Sequence, residues 1–179
     1  TANRGNLFRL KQVMRRAEAG EPVKVGFIGG SITMGCLATE PELCYAYRVY
    51  EWWQEKFPKT EVSYINAGIG ATTSQFAAAR VEKDLLDQKP DVVFVEFSVN
   101  DDANEFFMET YESLIRKIYT FDQNTAIIII NCVRYDDGGS AEVWHAKVAR
   151  YYELPQISMQ RSIYPEVAAG RISAEEITA

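Results

Sequence analysis

Val23-Lys-Val-Gly-Phe-Ile-Gly-Gly-Ser31-Ile-Thr-Met-Gly35 is the stretch that decides how this chain is read. From Val23 to Ile28 it is apolar apart from Lys24 and Gly26, the pattern of a strand buried on both faces of a parallel sheet. The run breaks at Gly29-Gly30, where residues without a Cβ let the backbone take conformations that a side chain forbids. Ser31 is the first side chain after the break. The arrangement predicts a hydroxyl at the carboxyl end of a strand, where open α/β sheets keep their ligands. The competing reading is a helix N-cap, since Ser followed by Thr is ordinary capping chemistry. The stretch is neither a phosphate-binding loop nor a Gly-x-Ser-x-Gly elbow, because position 33 is Thr and no Gly-Lys pair follows.

Outward from this stretch, strand and helix patterns alternate. Asn6 to Ala19 carries Leu7, Leu10, Val13, Met14 and Ala17 at helical spacing, with Gly20 to stop it and Pro22 ahead of the strand. Residues 34 to 43 read as loop. Tyr45 to Phe57 is a helix rich in Tyr and Trp whose aromatic face is expected in the core, with Tyr45 or Tyr47 as the alternative lining of a pocket. Val62 to Ala67 is a second strand, running into Gly68-Ile-Gly70-Ala71-Thr72-Thr73-Ser74 and a helix from Ser74 to Gln88. Thr72, Thr73 or Ser74 can cap that helix. Its first N–H groups are then expected to face the sheet edge that carries Ser31, a natural place for negative charge.

Pro90 introduces a third strand, Asp91 to Phe97, followed by Ser98-Val-Asn100-Asp101-Asp102 and a helix from Asn104 to Phe121. Ala126 to Asn131 is a fourth strand and Ala141 to Tyr152 a helix. Pro155 to Met159 is a short fifth strand; Ser162 to Gly170 and Ser173 to Thr178 read as short helices. This alternation predicts an α/β protein, a three-layer α/β/α sandwich with about five parallel strands and right-handed crossovers. Neither a repeat nor a linker interrupts it, so residues 1–179 are expected to form one domain.

Composition narrows the function classes. The chain has 179 residues, 47% hydrophobic and 25% charged, as in globular proteins. A net charge of −6 without a Lys/Arg cluster argues against nucleic acid or an anionic membrane as the main partner. No apolar run approaches membrane-spanning length, and the amino-terminal residues show no signal-peptide core. Cys36, Cys44 and Cys132 have no metal-site spacing and are expected as free buried thiols, with a Cys36–Cys44 bridge as the alternative in an exported protein. His145 is the lone histidine, which leaves no multi-histidine metal site within the chain. Neither compartment nor oligomeric state is legible.

In a doubly wound sheet the carboxyl ends of neighbouring strands converge on one crevice. Here they deliver Ser31, the Gly70-Ala71 turn and Asn100. Acyl transfer needs a nucleophile and two or three hydrogen-bond donors aimed at a tetrahedral oxyanion. The Ser31 N–H, the Gly70 or Ala71 N–H and the Asn100 carboxamide supply such donors. Taken alone, Asn100 is common turn chemistry.

With those residues in place the chain resembles the SGNH, or GDSL-type, esterases and acylhydrolases. Gly30-Ser31-Ile32-Thr33 is similar to the family's nucleophile block, in the Gly-Gly-Ser-Ile-Thr form of a carbohydrate-esterase-like branch. Asn66-Ala-Gly-Ile-Gly-Ala-Thr-Thr-Ser74 is similar to the second block, with Ala71 where the family usually has Gly, and Val99-Asn100-Asp101 to the third. The resemblance implies a flavodoxin-like sandwich and ester hydrolysis, with Ser31 as nucleophile. Ser31, Gly70, Ala71 and Asn100 would line the oxyanion hole, and neither metal nor organic cofactor is called for. The fourth block, Asp-x-x-His, follows in relatives at about the point where this chain reaches Ala179, so the base is expected beyond it. Glu142-Val-Trp-His145 mimics the acid-x-x-His spacing, but His145 lies within a helix pattern, where an ordinary hydrogen-bonded histidine is the default.

The resemblance points to acetyl groups on a polysaccharide such as xylan, with a short-chain lipid or thioester as the nearest alternative. A non-enzymatic reading, a carbohydrate-binding or interaction domain of the same fold, draws on the missing histidine block and on Ala71. A nucleotide-binding sandwich would need a Gly-x-Gly-x-x-Gly turn after the first strand, and there is none.

Overall fold

The computed structural model describes residues 2–178. Across these, five parallel strands form one sheet: β1 (Val23–Gly29), β2 (Val62–Gly68), β3 (Val92–Glu96), β4 (Ala126–Asn131) and β5 (Gln156–Ser158). Their spatial order is β2-β1-β3-β4-β5. Every residue of β3 and β4 is buried, which is why Val92 to Val95 and Ala126 to Ile130 read as apolar runs and not as alternating ones.

Helices cover both faces. On one, α1 (Phe8–Glu18) and α3 (Tyr45–Lys56) lay Val13, Ala17, Ala46 and Trp53 against Val25, Phe27, Val92, Phe94 and Ile128. On the other, α4 (Ser74–Asp84), α5 (Glu105–Phe121) and α6 (Glu142–Tyr151) lay Ala77, Val81, Leu114, Ile115, Ile118, Val148 and Ala149 against Ile28, Val93, Val95 and Ile129. Each Val, Leu, Ile or Phe among these contributes about 1.5–3 kcal/mol on burial, and each Ala less. Phe27 on β1 stacks on Phe94 of β3 at 5.1 Å between centroids, so the two central strands are locked by side chains as well as by their ladder. The chain thus has the α/β/α layers and parallel sheet that the alternation predicts.

Several local expectations are corrected. Gly29 and Gly30 are not among the positive-φ residues. They are needed for close approach: a Cβ on Gly29 would fall 2.0 Å from Thr33 Oγ1, and one on Gly30 would fall 2.4 Å from Asn100 Oδ1. Residues 34 to 43 are not all loop. A four-residue helix, α2 (Ser31–Met34), opens directly from β1, and a 3-10 turn spans Pro41–Leu43. The helix read as Ser74 to Gln88 stops at Asp84, because Leu85 leaves helical geometry (φ −133°) and both Leu85 and Leu86 turn wholly into the core. The helix read as Ser162 to Gly170 is the shorter α8 (Tyr164–Ala168); an additional turn of helix, α7 (Met159–Ser162), precedes it directly after β5, and α9 (Ala174–Thr178) follows. The three cysteines are free thiols, and Cys36 is exposed where a buried one was expected. Among the described residues no helix is long and apolar enough to cross a membrane.

Candidate functional site at the switch point of the sheet

The strand order reverses between β1 and β3, so the connections after these strands leave in opposite directions and open a crevice at their carboxyl ends. Gly29 and Glu96 are register partners across this pair. The turn after Gly29 and the turn after Glu96 therefore meet over the same edge.

Ser31 is the first residue of α2, and Gly30 holds the N-cap position. The capping reading of Ser31 is thus replaced: its half-buried side chain has no hydrogen-bond partner among the described residues. The N–H groups of a first helical turn have no intrahelical acceptor, so that of Ser31 remains available as a donor. From β2, Gly70 reaches the same place; a Cβ there would lie 3.9 Å from Ser31 Cβ and 3.4 Å from Met34 Cε. From β3, the Asn100 carboxamide packs on Gly30, close enough that the Gly30 Cβ position is already occupied. The carboxamide has no hydrogen-bond partner among the described residues, and its Oδ1 is buried. Ser31, Gly70 and Asn100 are therefore gathered through two contacts. Ala71 follows at an exposed position with φ +56°, the left-handed conformation that a glycine takes without cost.

The turn that carries Ser31 is braced from below. Asn66 Nδ2 donates to the Thr33 carbonyl at 2.8 Å, and its Oδ1 accepts from the Gly68 N–H at 2.9 Å, joining the end of β2 to α2. Thr33 Oγ1 lies 2.8 Å from Tyr45 Oη. Tyr45 thus supports the Ser31 turn from the core side, and burial, with Glu96 nearby, holds its phenol well above the usual range. Tyr47 packs edge-on to Tyr50 and Tyr64 within the same aromatic layer. The core reading of this helix face describes both tyrosines.

The expected opening at the start of α4 is filled. Thr73 holds its N-cap position without a side-chain bond. The Ser74 N–H donates instead to Asp101 Oδ1, at 2.9 Å. The negative charge at this helix end is therefore the protein's own carboxylate, a favourable partner for the positive end of the helix dipole.

His145 lies in α6, fully enclosed and stacked on Tyr111 with ring centroids 3.7 Å apart. Asn131 Oδ1 accepts from Gln156 Nε2, which turns the Asn131 amide toward His145 Nδ1 at 3.2 Å. Nδ1 is thereby the acceptor, and Nε2–H donates to Asp101 Oδ2 at 3.1 Å. Burial holds the imidazole pKa below its ordinary value, with Asp101 opposing. Both ring nitrogens are spent, and neither has a lone pair to offer Ser31.

Two acidic residues escape sequence reasoning. Asp101 joins the turn after β3 to α4 and α6, contacts between residues far apart in sequence. Glu96 is a fully buried carboxyl group at the end of a strand of Val and Phe. Burial, with Asp101 nearby, raises its pKa to about 7 against the donors of Ser98 and the Val99 N–H. An acid inside an otherwise apolar buried run is rare enough to have been a signal.

An open parallel sheet of this order, with polar groups gathered over its central strands, defines a doubly wound α/β protein whose candidate site lies at the switch point. Comparison with known proteins takes the assignment one step further: the chain belongs to the GDSL-like lipase/acylhydrolase family, whose sequence profile matches residues 27–163. It is 28% identical over 118 residues to an acetylxylan esterase of Geobacillus stearothermophilus, covering 55% of this chain and 53% of that protein. Among solved structures it superposes on a two-domain esterase active on acetylated mannans, co-crystallised with mannopentaose. There the TM-score is 0.96 at 58% identity, over 98% of this chain and 48% of that one. A catalytic mutant of the Geobacillus acetylxylan esterase, with a histidine replaced by alanine, shares the fold at a TM-score of 0.65 and 21% identity. That match covers 86% of this chain and 83% of the other. The chain spans about half the length of the first two relatives.

Proposed function

We propose that this chain carries the nucleophile and oxyanion site of a serine esterase that removes acetyl groups from a carbohydrate, with acetylated mannan or xylan as the substrate class. Membership of the family supports the ester chemistry, and the 58% identical mannan esterase supports the sugar. The observation that carries the reading is the meeting of Ser31 with Gly70 and of Gly30 with Asn100 over the switch point.

In this reading Ser31 Oγ attacks the acetyl carbonyl carbon as its proton passes to a base. The carbonyl oxygen becomes an oxyanion, held by the Ser31 N–H, the Gly70 or Ala71 N–H and Asn100 Nδ2. Collapse expels the sugar alkoxide, which takes the proton from the base, and leaves an acetyl group on Ser31. Water, deprotonated by the same base, then attacks the acetyl carbonyl, releases acetate and restores the serine. The base is a histidine outside residues 1–179, because His145 has both nitrogens committed to Asn131 and Asp101. That the Geobacillus relative has a catalytic histidine mutant is in keeping with this.

The test is hydrolysis of p-nitrophenyl acetate and of acetylated mannan by the protein as its gene encodes it. Ser31→Ala is expected to lower kcat at least about a thousand-fold. Equal rates in the two proteins would remove Ser31 from the mechanism. Mannan binding without turnover in the wild type would select a carbohydrate-binding role for the fold.

A further inference from the structure

Glu96 ends β3 with a carboxyl group that the proposed reaction does not use. Its Oε2 is buried with no hydrogen-bond partner among the described residues. Oε1 accepts from the Ser98 N–H at 2.9 Å and lies 3.0 Å from Ser98 Oγ. That same Oγ lies 2.9 Å from the Cys132 carbonyl oxygen. A carbonyl and a carboxylate can only accept, and a serine hydroxyl has one proton for the two contacts. A proton on Glu96 resolves the count: the carboxylic acid donates to Ser98 Oγ, and the hydroxyl donates to Cys132.

The buried Arg80 guanidinium of α4 is bonded to Asp84 and to the Gly29 carbonyl, and among the described residues the titratable groups that act on Glu96 include no cation. They are Tyr45 from α3, Cys132 from the segment after β4, Tyr111 from α5, and Asp101 from the turn after β3. Each is neutral or negative, so none compensates a charge on Glu96. Ser98 is also where the turn is anchored, because the Ala141 N–H donates to its carbonyl at 2.7 Å. Two residues further on stands Asn100.

We propose that Glu96 is a positioning residue that keeps a neutral carboxylic acid beneath the Ser98–Asn100 turn, and that its ionisation switches the site off on the alkaline side. The switch rests on the esterase reading given above. Ionised, Glu96 withdraws the second proton, so Ser98 must release either Glu96 or Cys132. It also sets an uncompensated buried negative charge under the turn that carries Asn100, against the negative charge an oxyanion would develop there.

The experiment compares wild type with Glu96→Gln in the protein as its gene encodes it, by pH profile and by infrared spectroscopy. Wild-type kcat/KM for p-nitrophenyl acetate, corrected for background hydrolysis, is expected to fall above about pH 7. The ratio of rates on either side of that limb should drop several-fold in wild type and stay flat in Glu96→Gln. The carbonyl band of a neutral carboxylic acid should be present about one pH unit below the limb, disappear with the same midpoint and be missing from the variant. If the variant does not fold, isotopic labelling of the glutamate carboxyl carbons in wild type identifies the band, since solvent-exposed glutamates are already ionised there. The same limb in both proteins, or no glutamic acid band in wild type, overturns the proposal. Ser31→Ala run in parallel separates the two readings. If it keeps full activity the esterase assignment falls and the infrared titration decides Glu96 alone; if it is inactive while the limb persists in Glu96→Gln, only the switch falls.

Discussion

His145 Nε2 donates to Asp101 Oδ2 across 3.1 Å, with both side chains wholly enclosed. In a family of hydrolases an acid–histidine pair invites reading as part of a catalytic relay. Its outer bonds say otherwise. Asn131 occupies the second ring nitrogen, and the Ser74 N–H occupies the other Asp101 oxygen. The pair joins α6 to the start of α4 through the residue that follows Asn100. It is a brace between two of the turns that form the candidate site.

That brace makes stability depend on acid. The native imidazole is held neutral, below its ordinary value of 6.5. The unfolded chain therefore binds a proton at higher pH than the native one, and stability rises with pH in that range. Lowering the pH below about 6.5 should progressively destabilise the wild type. His145→Gln should cost about 2–4 kcal/mol near neutral pH, since it leaves a buried carboxylate poorly paired. It should also flatten the acid slope. Urea unfolding midpoints measured across this range check both, and an unchanged slope would show that His145 is not the titrating group.

Glu96 acts in the opposite sense. Its native pKa of about 7 lies above the ordinary 4.5, so the native state holds a proton that the unfolded chain has lost between these values. The stability it contributes is complete below about 4.5 and is lost as pH rises through about 7. Glu96→Gln removes this loss, and should be more stable than wild type above neutrality by on the order of 3 kcal/mol. At the acid end of the window the two should converge. A variant less stable than wild type at every pH would show that the carboxyl group is needed for its shape and not for its proton.

The two acids also mark where the sequence stops being legible. β1, β3 and β4 could be read because strands buried on both faces are mostly apolar, a property each carries by itself. Ser31, Gly70 and Asn100 could be brought together because a parallel sheet places all its carboxyl ends on one edge. The roles of Asp101 and Glu96 depend on contacts that no local pattern encodes. The Ser74–Asp101 bond spans 27 positions and the Asp101–His145 bond 44. The end of α4 failed for a similar reason: helix propensity continues through Leu85-Leu86, but the core claims both side chains. Gly29 and Gly30 were legible as special positions, though not for the right cause, since crowding by Thr33 and Asn100 is a tertiary fact.

Ala71 holds a conformation in which its Cβ is a liability. At φ +56° the side chain crowds the backbone, at a cost of roughly 1–2 kcal/mol. Ala71→Gly removes that crowding and gives back part of the gain as unfolded-chain entropy, for a net stabilisation of about 0.5–1 kcal/mol. The backbone N–H is unchanged by the substitution, so kcat/KM should stay within about twofold if that group is the donor. Thermal unfolding and steady-state kinetics on one preparation test both statements. A destabilised variant would mean that the Cβ makes contacts outweighing its strain.

The contact between Gly30 and Asn100 allows the oxyanion reading to be tested without touching either the nucleophile or the carboxamide. A Cβ at position 30 would fall 2.4 Å from Asn100 Oδ1 and 3.2 Å from Nδ2. Gly30→Ala must therefore displace the amide. If Asn100 stabilises the transition state, Asn100→Ala should lower kcat by about 10²–10³-fold with little change in KM. Gly30→Ala should lower it by a comparable factor. The double variant should then be scarcely worse than either single one, because the second change removes an interaction already lost. Kinetics of the four proteins close the cycle. Additive losses would mean that Gly30→Ala harms Ser31 directly, and a fully active Gly30→Ala would show that the carboxamide can move aside without cost, which a positioned oxyanion donor cannot do.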